Sequence, residues 1–389
     1  MSSVDPNLRE RSEGSRASTQ LDHGEPSLST DGVPRGDTSS APSFARAPEG
    51  ALRAGESERA NALRYRASAA PGHVESHFLK ANSPDGERAL WVKHTLLVPT
   101  RRDAPAVAEL WAIAFDRRGR RKLAQKVSYP LAAARLCDAP FSFALPDAEL
   151  RQGAASGALG AGDERLAWQL DFASAEAPFL PFRYPRMYTG AFPRSKSLTP
   201  FPDTRAHGSF TAFGERWDVT GWRAAQGHNW GKSHAHAYGW VHCNALCLEP
   251  GGTPLEDSWV EVLSGRVRLG PLVTPFLSVA GLRHQGRLFR FDAARAIVSR
   301  KIAIDTRSFT FELVQDGATL VGAFHAAPEQ FAGLRYEDPD GRALACLNSK
   351  LASGRLTLSY EGGAVTLYTD QAALELGTRS PDHGVALLA

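Results

Sequence analysis

The 389-residue sequence has little of what marks several large protein classes. It contains no run of eighteen apolar residues, which excludes an ordinary transmembrane helix. Its N-terminus, MSSVDPNLRERSEGSRAS, has charges and serines where a secretory signal would have an apolar core. The four cysteines match no zinc-knuckle or redox spacing. We therefore expect a cytoplasmic protein with reduced thiols.

A strong charge of one sign is also missing. The 45 basic and 42 acidic residues leave a formal charge of +3, and no basic block or stripe follows the chain. Nucleic-acid binding depends on clustered positive charge that can track a phosphate backbone. We therefore expect no nucleic-acid partner.

The first part of the chain lacks core-forming residues. Residues 1–66 are rich in Ser, Gly, Ala and Arg, and their only aromatic residues are Phe44 and Tyr65. Such a segment cannot bury enough apolar area to offset the entropy lost on ordering. The composition predicts a disordered tail over 1–66, and we expect residues 73–389 to fold without it.

The remaining chain has enough apolar residues for real cores, because 42% of all residues are hydrophobic, with eight Trp and nineteen Phe. Short aromatic and branched segments such as RLTLSYEGGAVTLYTD alternate with Gly, Asp and Pro turns, and long amphipathic helices are missing. This pattern is typical of antiparallel sandwiches and barrels. The length predicts two β-domains, at 67–205 and 206–389, with the Pro-rich PRSKSLTPFPDTRAHG at their boundary.

The stretch from Gly227 to Asn244, GHNWGKSHAHAYGWVHCN, concentrates histidines and aromatic residues. In a strand, side chains alternate between the two faces. One face then carries only small residues and Val, which suit close packing. The other face suits a cavity wall, since its side chains are large and hydrogen-bonding: His234, His236, Tyr238, Trp240, His242 and Asn244.

A zinc site is the alternative interpretation of this stretch. His234 and His236 would lie about 7 Å apart on one strand face, from which two imidazoles can converge on a metal. His242 would lie about 20 Å further along and is too distant. The third ligand would have to be His228 or a carboxylate from another strand. Because only part of a zinc ligand set is present, we predict no bound metal.

Four blocks of this sequence carry a resemblance to a known group. HNWG (His228 to Gly231), WVHCN (Trp240 to Asn244), ESHFLKANSPDGERALWVKHTLL (Glu75 to Leu97) and FPRSKSLTPFP (Phe192 to Pro202) appear in order. Together they resemble the lipocalin-like superfamily of the tocopherol cyclases and the bacterial carotenoid hydratases of the hydroxyneurosporene synthase type. Gly227 stands where the hydratases often have an acid, and the cyclases tend to have another residue in place of His228.

The resemblance implies an all-β fold of two tandem lipocalin-like (calycin-type) antiparallel β-barrel domains. It also implies cofactor-independent acid catalysis on an isoprenoid or prenylated lipid, by a tocopherol cyclase-like isomerase (an intramolecular lyase) or a hydro-lyase. A proton would add to an alkene, and water or a phenol oxygen would capture the cation. The alternative is a non-catalytic carrier of an apolar ligand. Peripheral membrane contact to collect the lipid, and the oligomeric state, stay open.

The implied cation needs an apolar, water-restricted pocket with π-faces and a nearby acid. The candidate catalytic acids are His228, Asp218, Glu75 and Asp257. The candidate substrate-binding residues are Trp230, Asn229, His234, His236, Tyr238, Trp240, His242, Asn244 and Trp222.

Overall fold

A computed structural model describes residues 49–174, 176–293 and 301–389 of the chain. Nearly all of the regular structure is antiparallel β-sheet, which confirms the predicted all-β fold. The described part holds the α-helices α1 (Glu49–Asn61) and α2 (Arg186–Thr189), and single 3-10 turns at Leu131–Ala133, Gly162–Glu164 and Pro328–Gln330. Neither of these α-helices is long and apolar enough to cross a membrane.

The first sheet is built from eleven strands of the N-terminal half. They are β1 (His73–Asn82), β2 (Arg88–Val98), β3 (Val107–Asp116), β4 (Arg121–Pro130), β5 (Arg135–Asp138), β6 (Phe141–Leu145), β7 (Ala148–Arg151), β8 (Ala154–Leu159), β9 (Leu166–Ala173), β10 (Ser195–Ala212) and β11 (Glu215–Gly231). Their order is β4-β3-β2-β1-β11-β10-β9-β8-β7-β6-β5. Strand β9 shows why they form: Leu166, Trp168, Leu170 and Phe172 are buried, and polar or small residues alternate with them.

The second sheet holds ten strands of the C-terminal half. They are β12 (Ala237–Cys243), β13 (Trp259–Arg266), β16 (Leu277–His284), β17 (Arg287–Phe291), β18 (Lys301–Ile304), β19 (Ser308–Gln315), β20 (Ala318–His325), β21 (Ala332–Glu337), β22 (Ala343–Tyr360) and β23 (Gly363–Thr378). Their order is β17-β16-β13-β12-β23-β22-β20-β19-β18, with β21 paired to β22. A separate hairpin joins β14 (Arg268–Leu269) to β15 (Leu272–Val273).

Each sheet encloses its own apolar core, and a third cluster joins the two sheets. The joining cluster takes Trp91 and Trp111 from the first sheet and Trp240 and Tyr336 from the second. Phe78 of β1 meets Trp240 of β12 edge-to-face, with ring centroids 5.6 Å apart. Buried aromatic pairs of this kind contribute most of the apolar area at such a junction.

The chain passes from one sheet to the other between Gly231 and Ala237. Glycine is needed at 231, because a Cβ there would lie 2.0 Å from the carbonyl oxygen of Arg194. The predicted boundary between residues 205 and 206 falls inside β10, which pairs with β9 and β11 across that point. The division into two domains at 67–205 and 206–389 stays a prediction.

The predicted disordered tail needs a correction at its C-terminal end. Residues 1–48 lie outside the described part, but residues 55–66 are ordered, and Ser57, Asn61 and Leu63 are buried. The Asn61 and Gln226 side chains exchange hydrogen bonds of 3.3 and 2.8 Å. Polar side chains that hydrogen-bond inside the first sheet hold this segment in place, which composition alone does not reveal.

Candidate functional site

A cavity of about 420 Å³ lies between the two sheets. Its apolar wall consists mainly of aromatic side chains. These are Phe78, Trp91, Tyr238, Trp240 and Tyr336. Polar side chains also line it, among them Ser76, Lys93, Asn229, His234, His236, Glu375 and Arg379. An apolar cavity with a few convergent polar groups is the usual form of a small-molecule site.

Strand alternation decides which side chains reach the cavity. On β1, Ser76 and Phe78 line the cavity, whereas Glu75 and His77 point to the opposite face. On β11, Asn229 lines it, and its neighbours lie on the other face. Near the cavity both strands are buried on both faces, because one face meets the core of the first sheet and the other faces the cavity.

His234 forms a dyad with Asp338 at the cavity. Its Nδ1–H donates to Oδ1 of Asp338 over 2.9 Å, and its backbone N–H donates to the same oxygen over 2.6 Å. Arg379 donates to the other carboxyl oxygen. Burial alone would raise the pKa of Asp338, but the hydrogen bonds from His234 and Arg379 lower that pKa to about 2. An ionised Asp338 therefore fixes the Nδ1 proton and leaves Nε2 for a ligand.

Tyr336 supports the dyad from one side. The imidazole of His234 stacks on the Tyr336 ring, with centroids 5.3 Å apart and planes 23° apart. The His234 side chain is 19% exposed, so the ring is held but accessible. These contacts orient an acid–base group beside an aromatic wall, an arrangement that can carry proton transfer.

Lys93 of β2 is a cavity residue that the sequence analysis missed. Its side chain is buried, and its Nζ lies 3.8 Å from the centroid of the Tyr336 ring. Burial lowers the pKa of this amine to about 8. The available signal was a lysine in the apolar strand ALWVKHTLLV, two residues from Trp91 and on the same face.

Two buried carboxyl groups, those of Glu375 and Glu261, lie near the aromatic wall and bond to residues other than His234. Lys350 Nζ donates to Oε1 of Glu375 over 2.9 Å. On the far side of Trp240, the indole Nε1–H donates to Glu261 over 3.1 Å, and Thr199 donates to the same carboxyl group over 2.6 Å. Burial raises the pKa of Glu261 to about 7. Glu261 thus fixes the orientation of the Trp240 ring.

His228, the first predicted acid, lies outside the cavity, which is a correction. Its Nε2–H donates to Oε1 of Glu75 over 2.8 Å, and its Nδ1–H donates to the Ala60 carbonyl over 2.8 Å. Glu75 also accepts the backbone N–H groups of Arg64 and Tyr65, each over 2.7 Å. Burial opposes the ionisation of Glu75, but hydrogen bonds from His228 and His73 hold its pKa well below the usual range. The pair is a buried ionic contact that holds residues 60–65.

Glu75, His77 and His228 are also the one group in the described part whose ligand atoms lie close enough to share a metal, within 4.8 Å. Glu75 and His228 already hydrogen-bond to each other, and Nε2 of His77 bonds to the Asn61 carbonyl. His234 and His236, the pair of the zinc alternative, form no such group with a third His, Cys, Asp or Glu among the described residues.

The other predicted residues divide into buried supports and surface positions. Trp230 packs on Leu198 and Tyr188 rather than in the cavity. His242 donates to the Pro202 carbonyl over 2.8 Å, and Asn244 accepts from Lys80 over 2.9 Å. Both residues tie the second sheet to the first.

Three further predicted residues also lie away from the cavity. Trp222 belongs to the first core, where it stacks on Trp217. Asp218 and Asp257 are exposed at the surface and do not line the cavity. Strand alternation had placed Asp218 with Trp222, but this face of β11 leads to solvent at its start.

Comparisons with known proteins give the fold but no family. No protein-family model and no curated protein matches the chain. Among solved structures, CghA with Sch210972 is similar over 79% of this chain and 89% of its own, with 13% identity and a TM-score of 0.52. A second structure of CghA is similar over the same shares of both chains, with 12% identity and a TM-score of 0.51. Kievitone hydratase from Nectria haematococca matches 80% of this chain and 90% of its own, with 8% identity and a TM-score of 0.49. The CghA likeness confirms the lipocalin-like fold.

Proposed function

We propose that the chain is a cofactor-independent enzyme that cyclises or hydrates an isoprenoid or prenylated lipid by acid catalysis. The observation that carries this proposal is the His234–Asp338 dyad beside an aromatic-walled cavity. His234 takes the role that the sequence analysis gave to His228. A carrier of apolar ligands has no need of an oriented imidazole.

The proposed reaction begins with His234 as an imidazolium, whose Nδ1–H stays bonded to Asp338 while the proton on Nε2 transfers to one carbon of an alkene. The other carbon becomes a tertiary cation, which the π-faces of Trp240 and Tyr238 stabilise in a site with little water. Water, or a hydroxyl oxygen of the same substrate, then bonds to the cation. The proton released from that oxygen returns to Nε2, so the enzyme is regenerated. Capture by water gives a hydrate, and internal capture gives a cyclic isomer.

Peripheral membrane contact is part of the proposal. The rim of the cavity includes Phe192, Arg194 and Arg268, and Phe192 is 50% exposed. The adjoining β14–β15 hairpin exposes Leu269 and Leu272, at 50% and 71%. Apolar side chains beside cationic ones suit an anionic lipid surface. Binding to phosphatidylserine vesicles should weaken in a Leu269→Ser/Leu272→Ser double variant, and unchanged binding would count against this contact.

The test of the proposed function is product formation from prenylated quinols and acyclic carotenoids. The wild type should form cyclic or hydrated products, and His234→Ala should bind the same lipids without converting them. The matched control is His325→Ala, which changes an exposed histidine on β20. Binding without conversion by the wild type, for every substrate class, would favour the carrier.

A further inference from the structure

We infer that the substrate carries an anionic oxygen group, a carboxylate or an enolate, which binds the ammonium of Lys93. This inference rests on the proposed function, because it takes the cavity between the sheets as the substrate site. It adds the chemical class of the polar end of the substrate, which the dyad does not define.

The first support is a comparison among the buried lysines where the sheets meet. Lys80 donates to Asn244 over 2.9 Å, and Lys350 donates to Glu375 over 2.9 Å. Lys93 is buried as well, yet within the described residues its amine has ring contacts and no oxygen acceptor. A buried ammonium without an acceptor is unfavourable. The cavity, which Lys93 lines, is the place from which an acceptor can come.

The second support is that the neighbouring carboxylates are already occupied. Glu375 accepts from Lys350, and Glu109 forms an ion pair of 2.8 Å with Lys126. Asp338 binds Arg379 and His234. No carboxylate of the described chain lies within ion-pair distance of Lys93. A ligand in the cavity is the negative partner that we infer.

The third support is the position of Lys93 relative to the dyad. Its Nζ lies 3.8 Å from the centroid of Tyr336, the same ring on which His234 stacks. An anionic group on Lys93 would therefore lie on the side of the cavity where proton transfer is proposed. The apolar chain of the substrate would extend along Trp91 and Trp240.

The experiment uses retinoic acid and retinol, which share an apolar chain and differ in a carboxylate or an alcohol. Dissociation constants are measured on the full chain by quenching of tryptophan fluorescence. We expect the wild type to bind retinoic acid about 10- to 100-fold more tightly, the range for a charged hydrogen bond. Lys93→Met should bring the two affinities together and leave retinol binding unchanged.

Two further variants complete the design. Lys93→Arg keeps the charge and should retain most of the preference for retinoic acid over retinol. If Lys93→Met does not fold, this variant still tests whether a cation at position 93 sets that preference. Lys122→Met, on β4 and outside the cavity, should behave as the wild type. Equal affinities in the wild type, or a preference that survives Lys93→Met, would overturn the inference and leave the proposed function standing. Failure of the wild type to bind either retinoid would count against both.

Discussion

The Nδ1 atom of His234 lies 2.9 Å from Oδ1 of Asp338, although 104 residues separate them in sequence. His234 lies in the connection from the first sheet to the second, and Asp338 directly follows β21. The contact therefore fixes an imidazole at the place where the two sheets meet. The chemistry proposed for this chain depends on that position.

Replacement of Asp338 by Asn should slow the reaction more than it weakens binding. The amide removes the negative charge that holds the Nδ1 proton, so kcat should fall by about 100-fold, at the low end for a lost acid–base arrangement. Retinol affinity should change little. The control is Asp340→Asn, which alters the neighbouring pair with Arg342. An unchanged kcat in Asp338→Asn would show that the dyad has no part in the reaction.

The buried pair of Glu75 and His228 should make stability depend on acid pH. The pKa of Glu75 is lower in the folded chain than its ordinary value of 4.5. The ionised carboxylate therefore contributes its full stabilisation above pH 4.5, and this stabilisation is lost as the pH falls towards the folded pKa. Glu75→Gln should lower the free energy of unfolding at pH 7 by roughly 3 kcal/mol, because it leaves His228 without its partner.

Urea unfolding at pH 7 and at pH 3.5 measures this difference. The difference in the free energy of unfolding between wild type and Glu75→Gln should be smaller at pH 3.5 than at pH 7. Asp103→Asn serves as the control, since Asp103 pairs with Arg101 on the open surface. A gap that stays constant between the two pH values would contradict the ionic role of Glu75.

Two N-terminal truncations should differ in their effect on the melting temperature. A chain without 1–48 keeps every contact described above and should unfold at the same temperature as the full chain. A chain without 1–66 loses the backbone groups that bind Glu75, His77 and His228, so its melting temperature should fall. Equal melting temperatures would show that residues 55–66 contribute nothing to stability. That result would support the prediction that 73–389 fold alone.

Substitutions of Trp240 test whether a cation forms beside its ring. Trp240→Phe and Trp240→Leu both remove the indole N–H that binds Glu261, so their difference reports the π-face. The phenylalanine variant should keep a kcat about 3- to 10-fold above that of the leucine variant, in line with an interaction of about 1 kcal/mol. Equal rates would remove the argument for cation stabilisation by this residue.

Much of the fold could be predicted from local pattern, and the site only in part. Alternation predicted six residues on one wall: His234, His236, Tyr238, Trp240, His242 and Asn244. The first four line the cavity, although His234 and His236 precede β12, and the last two bond to the first sheet instead. Alternation could not assign β11, because that strand is buried on both faces near His228. The pattern gives the alternation but not which face meets the core and which the cavity.

The remaining site residues depend on contacts distant in sequence. Asp338 has no local feature that marks it as a partner of His234, since the fold alone brings β21 to the connecting segment. In the sequence, Lys93 resembles a solvent-facing lysine of a strand. Its burial becomes evident only when Tyr336 of the second sheet packs on it. Such residues become visible only when the two sheets are packed together.

The most direct test of the central claim is proton transfer from His234 to an alkene, measured in deuterated water. Wild type and His234→Ala are incubated with prenylated quinols and acyclic carotenoids, and mass spectrometry counts the deuterium on carbon. The account predicts one deuterium in each product molecule of the wild type, and lipids bound but returned unlabelled by His234→Ala. Equal labelling by the two proteins would contradict the role of His234. Unlabelled lipid recovered from the wild type with every substrate would contradict the enzymatic function itself.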